Sequence, residues 1–186
     1  SIVVFYGGLK LDYFDMFGIN AYLGIWAYPI TILLILSIIN AINLIDGLDG
    51  LCAGISSIYF LTIGIIALIL NKLGGLDIIL SFIMFGATTG FLVHNFPPAK
   101  IFMGDTVSTF LGLMISVIML LGFKTVTLTS LIIPMVLLIL PITDTLFAII
   151  RRTIHKRPIG EADKEHIHHQ LLKKLSTRKT ILIIYF

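Results

Sequence analysis

Predominantly apolar stretches occupy positions 26–45, 51–70, 78–96, 106–123 and 131–150, each 18 to 20 residues long. That matches the ~20 residues a helix needs to cross a ~30 Å hydrocarbon core. Hydrophobic side chains surround each stretch instead of forming a 3.6-residue stripe, and none has the strict alternation of a barrel strand. The pattern predicts an all-α, polytopic transmembrane fold with five complete spans. Apolar runs at 2–6 and 181–186 are too short to cross and predict two partial spans, so the chain reads as a fragment cut within membrane segments at both ends. Pro29 suits the first turn of its helix. Pro134 and Pro141 should bend the last span, and Pro97-Pro98 should end the third. No repeat or low-complexity linker divides the chain, so residues 1–186 are expected to form one transmembrane domain.

Composition strengthens this reading, because 58% of residues are hydrophobic and 12% charged, against roughly 25% charged in soluble domains. A lipid bilayer is the expected surrounding, and no nucleic-acid partner is expected. Cys52 is the single cysteine, which excludes an internal disulfide and is best read as small apolar packing. The formal charge is only +3, yet nine of the 13 Lys and Arg fall between Arg151 and Lys179, against three acids there. The positive-inside rule makes that segment cytoplasmic. Alternating the spans then puts residues 46–50 and 97–105 on the same side, and 71–77 and 124–130 outside.

Residues capable of chemistry thereby collect at one membrane face: Asn40, Asn43, Asp46, Asp49, Asn95, Asp105, Arg151, Arg152, His166, His168 and His169. Asn40 and Asn43 share a helix face that Asp46 continues if the helix persists. Asn and Asp beside Gly are also ordinary turn formers, but two of each at regular spacing favour a site. Asp105 opens a predicted helix, where it can cap free N–H groups or bind a metal. Carboxylates and an amide supply hard oxygen ligands, which suit Mg²⁺ shared with substrate phosphates.

The Arg151-Arg152 pair can set topology or touch anionic lipid. His166, His168 and His169 make a poor Zn²⁺ site, because their spacing splits them over different helix faces and no Cys is near. As donors to phosphate oxygens they suit a pyrophosphate-bearing substrate. Asp144, in the inner half of the fifth span, is a functional candidate or half of a structural ion pair with Arg151.

Three stretches in order, NAINLIDGLDGL at 40–51, NFPPAKIFMGDT at 95–106 and RRTIHKRPIGEADKEHIHHQLL at 151–172, resemble the cytoplasmic motifs of the polyprenyl-phosphate N-acetylhexosamine-1-phosphate transferases. The likeness is closest to the undecaprenyl-phosphate GlcNAc-1-phosphate transferase branch, with the phospho-MurNAc-pentapeptide translocases more distant. It implies a bacterial, multi-pass cell-membrane enzyme with its active site at the cytoplasmic face. Its substrates would be a UDP-N-acetylhexosamine and undecaprenyl phosphate, its product UMP, and its role the first membrane step of cell-envelope glycan synthesis. Residue by residue, the resemblance implies Asp105 as principal ligand of Mg²⁺, or of Mn²⁺ in its place, with Asn43 and Asp46 at the metal and pyrophosphate. Asn95, Phe102 and Asp49 would hold the uridine, Phe102 by stacking. His166, His168 and His169 would meet the sugar phosphate, with Arg151 and Arg152 as phosphate partners, and Asp46, Asp49 and the histidines would form the catalytic set. Val107 departs from the family, which usually has Gly there. The family's paired-aspartate motif is absent from these residues, so the isolated fragment is expected to be inactive. A homodimer is left open.

Reaction would require charge neutralisation more than a strong base, because a phosphate monoester is mostly dianionic at neutral pH; a route through an aspartyl-phosphate is left open. The competing reading is an ion-coupled transporter, which would put its polar groups near the bilayer midplane. A His-dependent metallohydrolase would instead need Zn²⁺.

Overall fold

The protein's structure, a computed structural model, describes residues 4, 6–16, 19–70, 75–123 and 176–185. Four long helices dominate it: α1 (Ala27–Ile45), α2 (Leu51–Leu70), α3 (Leu76–Asn95) and α4 (Gly104–Phe123). All four are long and apolar enough to cross a membrane, and the protein is a multi-pass, mainly helical membrane protein. Their ends agree with the expected spans to within about two residues. The expected span at 131–150, with Asp144, lies outside the described residues, as does most of the basic segment. A short helix, α5 (Thr177–Tyr185), follows; it starts two residues before the basic segment was expected to end.

Local chemistry accounts for the helix boundaries. Pro29 occupies the first turn of α1, where its missing N–H has no helical acceptor to lose. Phe96 closes α3 with extended backbone, φ −67° and ψ 138°, the conformation imposed on a residue that precedes proline. Gly50 and Gly104, at φ +80° and +71°, make the tight entries into α2 and α4 in a conformation that L side chains rarely adopt.

Helices α1 and α4 pack antiparallel, as do α2 and α3. Lipid tails are as apolar as leucine, so helices in a bilayer associate through close packing and hydrogen bonds. Both appear here. A Cβ on Gly112 of α4 would stand 2.7 Å from the Ile39 Cα of α1, so only glycine permits this approach. On the other pair, the hydroxyls of Ser57 and Thr89 lie 2.6 Å apart and Thr88 donates to Ser57; bonds of this kind contribute roughly 0.6 kcal/mol each. Tyr59 donates to the Ile115 carbonyl and ties α2 to α4. The fully buried Tyr59, Phe60, Ile38, Ile42 and Ile115 fill the centre, while Leu33, Ile69, Ile83, Val93 and Phe110 point outward, as lipid-facing residues should.

A hairpin that the hydrophobic pattern did not predict precedes α1. Strands β1 (Tyr13–Met16) and β2 (Ile19–Tyr22) pair antiparallel, with Tyr13 opposite Tyr22. Four residues per strand are too few for a period-2 pattern to stand out. The segment is anchored by Leu11 N–H donating to Thr31 Oγ1 of α1, and by a Lys10–Asp12 ion pair of 2.8 Å.

Candidate active site at one end of the bundle

The antiparallel pairing brings the C-terminal ends of α1 and α3 and the N-terminal ends of α2 and α4 to the same end of the bundle. Two loops meet there, 46–50 and 96–103. Asn95 joins them: its Oδ1 accepts from Gly50 N–H and its Nδ2 donates to the Ile101 carbonyl, both at 2.8 Å. With 4% of its surface exposed, the Asn95 side chain is spent on holding the loops. Asp49 adds a second link, accepting from Ala99 N–H at 3.4 Å, and the Lys100 N–H donates to the His94 carbonyl.

Across the other helix pair, Asn43 on the last turns of α1 donates to Asp105 Oδ1 at 3.4 Å and to Ser108 Oγ at 2.8 Å. Ser108 lies one turn after Asp105, so the two share a face of α4. Asp105 sits in the first turn of that helix, where the macrodipole favours negative charge. Its carboxylate reaches across to α1, and its backbone carbonyl accepts from Ser108 and Thr109. Asp46, half-buried and just beyond α1, completes an acidic group with Asp105 and Asp49. Burial first, then the charges of Asp105 and Asp49, push its carboxyl from its ordinary value up to about 6. Phe102 is 77% exposed beside the acidic group, a free aromatic face.

The structure thus brings together Asn43, Asp46, Asp49, Asn95, Phe102 and Asp105, drawn from two motifs separated along the chain. Asn40 is exposed one turn before Asn43. Arg151, Arg152, His166, His168 and His169 lie outside the described residues. Three further residues enter the site's construction: Ser108, Arg178 and Tyr185. Ser108 could have been found from its i, i+3 relation to Asp105; the other two carry no sequence signal.

A sequence model of the family described as "Glycosyl transferase family 4" matches residues 1–123. The chain belongs to that family. Among relatives in it, the chain is 52% identical over 189 aligned positions to the "Probable undecaprenyl-phosphate N-acetylglucosaminyl 1-phosphate transferase" of Bacillus subtilis (strain 168), covering 100% of this chain and 52% of that protein. It is 37% identical over 154 positions to the "Decaprenyl-phosphate N-acetylglucosaminephosphotransferase" of Mycolicibacterium smegmatis, covering 73% of this chain and 38% of the relative. A "Phospho-N-acetylmuramoyl-pentapeptide-transferase" of Desulforudis audaxviator matches at 33% over 113 positions, 60% of this chain and 30% of the relative. The chain spans about half the length, or less, of these relatives.

Family membership agrees with the resemblance carried by the three sequence motifs. Nothing supports the transporter alternative: among the described residues, the spans carry Asp and His only at their ends (Asp77, His94 and Asp105), and the middle of the α2–α3 contact holds hydroxyls alone.

Proposed function

We propose that the full-length protein transfers N-acetylhexosamine-1-phosphate, GlcNAc-1-phosphate first among the candidates, from a UDP-sugar to undecaprenyl phosphate, releasing UMP at the cytoplasmic face of a bacterial cell membrane. The names of the relatives support the reaction type, and the excess of Lys and Arg at 151–179 supports the orientation. One observation carries the assignment to this site: Asp46, Asp49 and Asp105 converge at one end of the bundle, where burial first and then the charges of Asp105 and Asp49 raise the Asp46 carboxyl.

Such a group fits a divalent cation. Its donors are hard oxygens, and among the described residues no three His, Cys, Asp or Glu side chains form a protein-only cage. Mg²⁺ commonly takes one or two carboxylates and completes its shell with substrate phosphates and water. Asp105 and Asp46 would hold it, with Mn²⁺ as a substitute. The amide group that Asn43 turns toward Asp105 is its nitrogen, so Asn43 orients the carboxylate in this arrangement and would bind a cation only through its oxygen. When bound, the cation supplies neutralisation of the diphosphate and of charge developing on the departing UMP.

The chain's own residues then have distinct tasks. Asn43 and Ser108 fix the Asp105 carboxylate. Asn95 and Asp49 fix the loop that presents Phe102, whose exposed ring offers a stacking surface for uracil. An oxygen of the lipid phosphate bonds to the sugar-proximal phosphorus as the bond from that phosphorus to the bridging oxygen breaks, and the bridging oxygen leaves on UMP. Arg151, Arg152 and the histidines at 166, 168 and 169 would balance the phosphate charge from the basic segment.

The direct test is UMP release from UDP-GlcNAc by the full-length protein, with and without undecaprenyl phosphate and with EDTA. Release that needs both the lipid and a divalent cation is expected. Release that proceeds equally without the lipid would indicate a hydrolase and overturn the proposal.

A further inference from the structure

Helix α5 supplies none of the residues proposed to touch the metal or the substrate, yet both of its ends reach the two site loops. Near its start, Arg178 Nε donates to the Pro97 carbonyl at 2.8 Å. At its end, the Tyr185 hydroxyl donates to the Gly50 carbonyl. These partners lie 81 and 135 residues away in sequence, so the contacts are products of the fold. Gly50 is held twice over, its N–H by Asn95 and its carbonyl by Tyr185. Its φ of +80° also disfavours any L side chain, whereas a Cβ there would only touch the Pro97 ring at 3.4 Å. Gly54, one turn into α2, leaves the space that Tyr185 fills: a Cβ on Gly54 would overlap the tyrosine hydroxyl and the ring carbon that bears it.

The contacts fall on one half of the site only. Pro97 and Gly50 belong to the loops that carry Asp49 and Phe102 and that Asn95 joins. The other half, Asn43 with Asp105 and Ser108, is secured between α1 and α4, and its side-chain hydrogen bonds among the described residues stay on those two helices. We infer that α5 is a brace, with Arg178 and Tyr185 as positioning residues that set the separation of the two nucleotide-side loops and hence the affinity for the UDP-sugar. The inference rests on the proposed transferase reading for the identity of that ligand.

The test is steady-state UMP release by full-length Tyr185→Phe, Arg178→Gln and Gly54→Ala, varying UDP-GlcNAc at saturating undecaprenyl phosphate and then the reverse. A net hydrogen bond of about 1 kcal/mol predicts that each variant raises KM for UDP-GlcNAc about 5-fold, with kcat and the KM for the lipid within about 2-fold of wild type. Gly54→Ala touches no substrate and should copy Tyr185→Phe, because it displaces the same ring. Arg178→Lys, which keeps a cationic donor, should recover part of the loss. Tyr185→Phe keeps the ring's packing and decides the matter if Arg178→Gln does not fold. Unchanged KM for UDP-GlcNAc in Tyr185→Phe, or equal losses in both KM values, would refute the brace. A wild-type protein that releases no UMP would refute the transferase reading instead, which keeps the two failures apart.

Discussion

Asn43 and Asp105, 62 residues apart in sequence, meet across the α1–α4 contact with Nδ2 to Oδ1 at 3.4 Å, and Ser108 takes the same amide at 2.8 Å. One amide thereby fixes the direction of the carboxylate proposed to bind the metal. Asn43→Ala should leave the fold intact and lower kcat about 10- to 100-fold, the effect of losing one hydrogen bond to a charged group at about 1.5–3 kcal/mol. Ser108→Ala acts through Asn43 and should cost less. Initial rates of UMP release, with thermal stability in detergent as a control, check both.

Asp46 gives a pH prediction whose sign is opposite to that of a salt-bridged carboxylate. Its pKa in the folded protein is raised to about 6, above the ordinary value of 3.8, so the folded state binds more protons than the unfolded state between those limits. Stability in EDTA should fall as pH rises from about 4 to about 6, then level off. The group is half-exposed, so solvent screening limits the loss to on the order of 1 kcal/mol, or a few degrees in Tm. A cation beside the carboxylates favours the ionised form and should flatten the fall. Asp46→Asn should raise apo Tm and eliminate turnover, as expected for a charge kept for function at the expense of stability. Thermal scans from pH 4.5 to 7.5, in EDTA and in Mg²⁺, measure this; superimposable curves would contradict it.

Gly112 carries a packing prediction. A methyl group there would stand 2.7 Å from the Ile39 Cα and 3.3 Å from the Ile38 carbonyl, and backbone atoms cannot rotate out of the way. Gly112→Ala should push α1 from α4 and lower stability by about 1–3 kcal/mol. It should also reduce turnover, because Asn43 and Ser108 sit on the two helices that separate. Gly86 and Gly90, whose added Cβ would meet nothing within 4 Å among the described residues, are the matched controls, and alanine at either should be well tolerated.

Much of the fold was legible in the sequence because a bilayer constrains it so tightly. A run of about 20 apolar residues admits one solution, a spanning helix, and Pro97 and the glycines mark where it must stop. The partners of each helix were not legible: no periodic stripe distinguishes the face of α1 that meets α4, and the deciding feature is a single glycine at 112. The hairpin at 13–22 was too short to read. Of the site, the three aspartates and Asn43 were apparent from their spacing and the resemblance of their motifs. Asn95 shows the limit of such reading. Its motif suggested a ligand contact, and its amide also joins two loops, a role set by where Gly50 and Ile101 arrive in space. Arg178 looked like one more basic residue of a cytoplasmic segment, and its bond to Pro97 depends wholly on tertiary structure.

The central claim is that the acidic end of the bundle holds the cation that activates a nucleotide-sugar. Its most direct measurement is UMP release from UDP-GlcNAc and undecaprenyl phosphate by full-length Asp105→Asn, titrated with Mg²⁺. Asparagine keeps the size of the side chain but removes its charge, so the variant should insert and fold like wild type, with turnover at least about 1,000-fold lower at every Mg²⁺ concentration. A folded variant that turns over at the wild-type rate with the same Mg²⁺ dependence would contradict the assignment of this site.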